Sequence, residues 1–247
     1  AFRSTKSSSF LRRFWKASTF RQRLNATELE STLRELDTKL GNSDSGSSGK
    51  EDANAGRARV ELNDGDVYRG AWINHQPVGF GRYSWANGNE YIGKFQDGAP
   101  CGQGTFEWAH GGVYEGEFQD GLMQGNGVYT SPSGAEYRGS WRRGKKHGLG
   151  LQLYANGDSY EGLWKNGAPN GPGTYRWNIQ NEELDLEEFN GEWVNGKMHG
   201  WGTLRWFSGD RYDGNWLHGA MSGDGIMTWR DGFSFSGQWK DGKRHGL

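Results

Sequence analysis

A Tyr-x-Gly-x-aromatic phrase returns every 23 residues through most of this chain. Its opening ring falls at Tyr68, Tyr91, Tyr114, Tyr137, Tyr160, Phe189, Tyr212 and Phe235, at intervals of 23 residues except for one of 29. Gly stands two positions after each ring, and Trp or Phe four positions after it, in all eight copies. A pair of glycines returns eleven and thirteen positions on, as at Gly79 and Gly81, and Gly246 begins the last such pair. A fixed period of this length marks an array in which each unit packs only on its neighbours. Composition agrees: 42 glycines accompany 14% aromatic residues and only 33% hydrophobic ones, a poor recipe for a conventional globular core.

Residues at i, i+2 and i+4 share one face of a strand, so each phrase predicts a short strand with ring, gap and ring on one side. Asp97-Gly98, Asp120-Gly121, Asn166-Gly167, Asn195-Gly196 and Asp241-Gly242 then supply the dipeptides of a two-residue type I′ hairpin. Seating them in the loop places the first Gly opposite the Gly eleven on, and the Tyr opposite the Gly thirteen on, so that rings lie over bare backbone. Tyr83/Trp85, Phe106/Trp108, Tyr175/Trp177, Leu204/Trp206 and Met227/Trp229 continue the aromatic face on the second strand. The next turn, marked by Asn87-Gly88, Asn156-Gly157, Ser208-Gly209 and Asp231-Gly232, must hold an odd number of residues to keep the following Tyr on that face. The predicted fold is all-β: an elongated single-layer antiparallel sheet of about eight stacked hairpins over residues 57–247, with roughly 16 strands at ~4.8 Å spacing. Residues 59–67, in phase with the second half of an earlier unit, cap its start.

On these residues the chain resembles the MORN (membrane occupation and recognition nexus) repeat family, whose pattern is Tyr-x-Gly-x-Trp-x-x-Gly-x-x-x-Gly-x-Gly. Phrases such as "GGVYEGEF" and "YANGDSYEGLWKNG" are also similar to the MORN regions of plant phosphatidylinositol-phosphate kinases. The resemblance implies a binding or localisation module, with helical peptides, tubulin-associated proteins or anionic lipids as partners. It implies no enzymatic activity and no cofactor for the residues present; any catalytic domain would belong to a longer parent protein.

Residues 1–40 differ in kind, carrying nine Lys/Arg against four acids, a net of +5, whereas the rest of the chain has a net of −6. Phe10, Leu11, Phe14 and Trp15 gather on one side of a predicted helix, with Arg12, Arg13 and Lys16 largely elsewhere. Such a basic amphipathic arm suits docking into a groove, lying on an anionic membrane, or serving as an organellar transit peptide. Thr27 and Glu30 form a capping box ahead of Leu29, Leu33, Leu36 and Leu40, which predicts a second short helix. Residues 41–56 read as a flexible linker. The Gly-Ser-Ser-Gly within it, with no Met at position 1, raises the alternative that 1–40 is a partner fragment joined artificially to the repeat body.

The leading expectation is therefore a non-enzymatic scaffold whose aromatic groove, lined by Tyr114, Trp141, Tyr160, Trp164, Trp193 and Trp216, binds an amphipathic helix of its own arm or of a partner. The rival is an anionic-lipid-binding regulatory region of a phosphatidylinositol-phosphate kinase. Arg142, Arg143, Lys145 and Lys146, the most basic turn of the body, would meet the headgroups. The body's net negative charge argues against broad nucleic-acid binding. His147, His199 and His245 share a repeat position but lie about two repeats apart, too far to share a metal ion. Cys101, the single cysteine, reads as a turn residue and fits a reducing compartment. Cytoplasmic placement follows, peripheral at a membrane or in a chloroplast or mitochondrion if the arm targets it there. Residues 178–188, with Glu182, Glu183, Asp185, Glu187 and Glu188, read as a solvated acidic insertion.

Overall fold

The computed structural model describes residues 56–62, 64–178 and 185–246. The expected arm over 1–40 with Phe10, Leu11, Phe14 and Trp15, the linker up to residue 55, and Glu182 and Glu183 lie outside the described residues. Seventeen strands follow one another there, from β1 (Gly56–Glu61), β2 (Val67–Ile73) and β3 (Gln76–Ser84) to β16 (Ser234–Lys240) and β17 (Lys243–His245), with no helix among them. Each pairs antiparallel with its neighbours in the chain, giving one open sheet. β1 is the predicted cap, pairing Val60 with Tyr68.

Both loop types form as their residues dictate. In the hairpin turns both residues have positive φ, 50° at Asp97 and 78° at Gly98, which is type I′ geometry. Asn74-His75, Arg143-Gly144 and His218-Gly219 adopt it too, although they are less obvious in the sequence. The second loop is a three-residue turn: the Trp85 amide donates to the Asn89 carbonyl at 2.9 Å, and Gly88 sits at φ +86°.

The hairpin register corrects the sequence expectation. Near the turn, Ile73↔Gln76, Trp72↔Pro77 and Ala71↔Val78 pair as a type I′ loop requires, but beyond them Gly70 faces Gly81 and Tyr68 faces Tyr83. Gly79 and Phe80 are two extra residues on β3, a bulge that shifts the remaining ladder by two. Gly79 is the bulge residue at φ +67°, and a side chain there would meet nothing within 4 Å, so its backbone angle explains the glycine. The space requirement falls elsewhere: a Cβ on Gly70 or Gly81 would come inside 3.0 Å of the Tyr68 ring, which lies down over both.

The core is therefore one ring thick. All six motif tyrosines and Phe189 are 0% exposed. From Tyr91 onward, each ring of the column stands edge-to-face to the Trp or Phe of its own unit at 5.1–5.5 Å. Contact with the next unit's Trp or Phe, at 4.9–5.3 Å, completes a continuous ladder from Tyr68 to Trp239. Each such contact contributes ~0.5–1.5 kcal/mol beyond area burial. The buried hydroxyls are satisfied: each motif Tyr donates to the carbonyl three residues on, at 2.9–3.1 Å. Trp141, Trp164, Trp193, Trp216 and Trp239 donate through Nε1 to a glycine carbonyl of the preceding unit at 3.1–3.3 Å.

Hydrogen bonds also link units along both edges. Turn glycines such as Gly121 and Gly144 donate to Pro100 and Met123 of the unit before. On the other edge Asp66, Asn89, Asp158 and Asp210 accept the amide twenty residues ahead at 2.8–2.9 Å.

Candidate functional site: the aromatic face

The two strands of each hairpin divide the aromatic face into two rows, since Tyr68 on β2 faces Tyr83 on β3. The ladder row holds the six residues predicted to line a groove. Tyr114 and Tyr160 are 0% exposed, and Trp141, Trp164, Trp193 and Trp216 are 4–7% exposed, so each is occupied by its neighbours in the array. The second row comes from the following strand and turn and stays half-buried. Tyr83, Trp85, Phe106, Trp108 and Tyr129 form one run with centroids 4.6–5.5 Å apart, and Tyr154, Tyr175 and Trp177 form another at 4.7–5.7 Å. These rings pack on the ladder while keeping part of their surface open.

Between the two runs the fourth unit breaks the pattern. Where six sister copies place Pro77, Pro100, Met123, Pro169, Met198 or Met221, nine residues after the motif ring, it has Lys146, and only the terminal copy also has a cation there, Arg244 over the Phe235 ring at 5.5 Å. Where those six place an aromatic or aliphatic side chain, fifteen residues after, the fourth unit has Gln152, which is 5% exposed. Lys146 pairs across the hairpin with Trp141 and so lies on the aromatic face. Its Nζ is 4.8 Å from the Tyr137 ring centre and 5.0 Å from that of Trp164, and it donates to Gln152 Oε1. Gln152 Nε2 in turn donates to the carbonyls of Glu136 at 3.1 Å and Leu153 at 2.8 Å. Burial holds the Lys146 amine down at about 8, well below an ordinary lysine. The expected basic turn is thus divided: Arg142, Arg143 and Lys145 are exposed at the hairpin tip, and Lys146 faces inward among rings.

The remaining sequence candidates are scattered. Cys101 is half-buried opposite Lys94. His199 has the ring of His218 at 5.5 Å, a pairing between units that the repeat spacing did not suggest. Among the described residues, no group of three or more His, Cys, Asp or Glu could hold a metal ion, and no helix is long and apolar enough to cross a membrane. The acidic insertion is shorter than expected, because β12 (Leu186–Val194) already begins inside it. Glu188 there pairs with Arg176 at 2.9 Å, and the Asp185 carboxylate accepts the Ser208 amide at 3.0 Å, as Asp66 and Asp158 do for their next turns. Sequence reasoning missed Trp201, 56% exposed on the opposite face, beside Asn215. The only signal for it was a Trp where other copies vary freely, twelve residues after the motif ring.

The family model described as MORN repeat matches eight segments: residues 68–90, 91–113, 114–136, 137–159, 160–181, 189–211, 212–234 and 235–247. Comparison with curated proteins gives no match. Among solved structures, the TCP domain of SAS-4 (dCPAP) from Drosophila melanogaster, in complex with a Proline Rich Motif of Ana2 (dSTIL), is similar at 12% identity. That likeness covers 79% of this chain and 98% of the other, with a TM-score of 0.39. The G-box domain of the microcephaly protein CPAP gives 10% identity, 77% and 97% coverage and a TM-score of 0.43. The TCP10 domain of Danio rerio CPAP, in complex with a STIL peptide, gives 10%, 73% and 83%, and 0.38. At such identities and scores these likenesses carry no argument about function. Eight matched repeats spanning most of its length are a different matter: the chain belongs to the MORN-repeat family.

Proposed function

We propose that the chain is a non-enzymatic protein-interaction scaffold whose aromatic face binds an amphipathic helical segment, either its own residues 1–40 or a partner's. The observation that carries this reading is the half-buried second row, in which Trp85, Trp108 and Trp177 stay partly open on a face without a second layer among the described residues. Large rigid rings that are partly covered lose little entropy on binding and bury substantial area, the properties of interface anchors. The groove is accordingly assigned to this row rather than to the ladder residues, whose surfaces are already taken up. Dimensions agree: two strands per repeat advance ~9.6 Å along the array, and one heptad of a helix advances ~10.5 Å. A helix lying across the strands would therefore meet equivalent rings about once per heptad.

Isothermal titration of a peptide of residues 1–40 into residues 53–247, at low and high salt, tests this. Aromatic burial predicts binding that survives salt, because apolar contacts are not screened. Binding that collapses with salt, together with capture by anionic vesicles, would favour the lipid reading through Arg142, Arg143 and Lys145.

A further inference from the structure

The fourth unit carries a feature that the scaffold reading leaves unused. A bare row of rings would select partners by apolar pattern alone, yet this row is interrupted midway by Gln152, which accepts a hydrogen bond from the Lys146 ammonium. Lys146 takes a slot that six sister copies fill with Pro or Met and the terminal copy with the exposed Arg244, and Gln152 takes a slot that those six fill with Tyr, Phe, Leu or Met. The two departures occur in one repeat and touch each other, so they act as one unit. The amine is largely removed from water, stacked against Tyr137 and Trp164, and its hydrogen-bond partner is the neutral Gln152 amide. Among the described residues no carboxylate pairs with it. An ammonium in that setting has lost hydration and gained no opposite charge, and an incoming carboxylate would supply one. Aromatic runs lie to either side, ending at Tyr129 and resuming at Tyr154 and Tyr175.

Resting on the scaffold reading, we infer that Lys146 is a specificity point: the bound helical segment carries an Asp or Glu that meets this amine, flanked by apolar anchors about one heptad to either side. The occupant is thus a helix of apolar–acidic–apolar pattern. A wholly apolar helix would leave the amine desolvated and unpaired, and one with a basic residue at that point would be repelled.

The test is selection of 21-residue helical peptides from a displayed library on the full chain, on Lys146→Met and on Lys146→Met/Gln152→Tyr. The substitutions restore residues that sister repeats carry, and unchanged far-UV circular dichroism checks the fold of each. The expected result is enrichment of an acid between apolar positions on the wild type only. Changing that acid to its amide should then weaken wild-type binding about tenfold, and binding to either variant less than about twofold. Binders without acid preference, or an equal preference on all three proteins, overturn this inference and leave the scaffold reading standing. The absence of any binder overturns the scaffold reading itself, and this inference with it.

Discussion

If the glycine thirteen residues after each motif ring is there to make room for that ring, removing the ring should remove the need for the glycine. Gly150 provides the cleanest case. The three atoms nearest to a Cβ built on it would all belong to the Tyr137 side chain, Oη, Cε2 and Cζ at 2.4–2.6 Å, and its φ is not in the left-handed region. In Gly150→Ala the Tyr137 ring must lift. That weakens two edge-to-face contacts at 5.2 Å, to Trp141 and Trp164, each worth ~0.5–1.5 kcal/mol. It also breaks the 2.9 Å hydrogen bond to the Ser140 carbonyl, worth ~1 kcal/mol. With some relief by relaxation, the loss is about 3 kcal/mol, within the usual range for overpacking. In a Tyr137→Ala background the same substitution meets no ring. It should then be neutral or stabilising by up to ~1 kcal/mol, since Gly in a strand interior is disfavoured relative to Ala. Urea unfolding of the four proteins, followed by tryptophan fluorescence, completes the cycle. An equal cost in both backgrounds would refute the steric account and assign the glycine a backbone role.

Three further outcomes follow from the same geometry. Phe189 lacks the hydroxyl that six sister rings use, so Phe189→Tyr should let a hydroxyl reach the Glu192 carbonyl and raise stability by ~1 kcal/mol in denaturant titration. Burial raises the motif tyrosines, with Tyr68 and Tyr212 pushed up to about 12, so the neutral rings favour the fold. Their contribution is complete below the ordinary value near 10 and is lost as pH rises through 12, so the tyrosinate absorbance of these motif rings should appear together with unfolding rather than before it. Lys146→Met/Gln152→Tyr should stabilise by on the order of 1–2 kcal/mol at neutral pH. The gain should shrink above pH 8, where the wild-type amine, held near 8 by burial, sheds its charge and its penalty; thermal midpoints at two pH values measure it.

Much of this was legible because the period exposes which residues repeat in step. Both loop types and the single sheet follow from the spacing of rings and Asx-Gly pairs. The bulge did not, since a glycine kept for its φ, such as Gly79, looks the same in sequence as one kept for space, such as Gly81. "WRRGKKHG" reads as one basic cluster, yet strand alternation turns Lys146 toward Trp141 and leaves Lys145 on the other side. The most regular columns, Tyr and Trp, suggested the groove, but regularity there reflects the ladder that each unit must build. The more open rings belong to a less regular column, where Gln152, Leu204 and Met227 interrupt the aromatics and blur the signal. In a single-layer sheet, the buried rings that hold units together and the half-buried rings beside them differ by only one strand.

The claim that the second row is the docking surface is tested most directly by Trp108→Ser/Trp177→Ser, measured for affinity toward the helical segment. Both rings are half-buried outside the ladder, so far-UV circular dichroism should be unchanged. Truncating two anchors worth ~2 kcal/mol each should weaken binding by more than about a hundredfold. Unchanged affinity in a folded double variant would contradict the account and move the binding surface off this row.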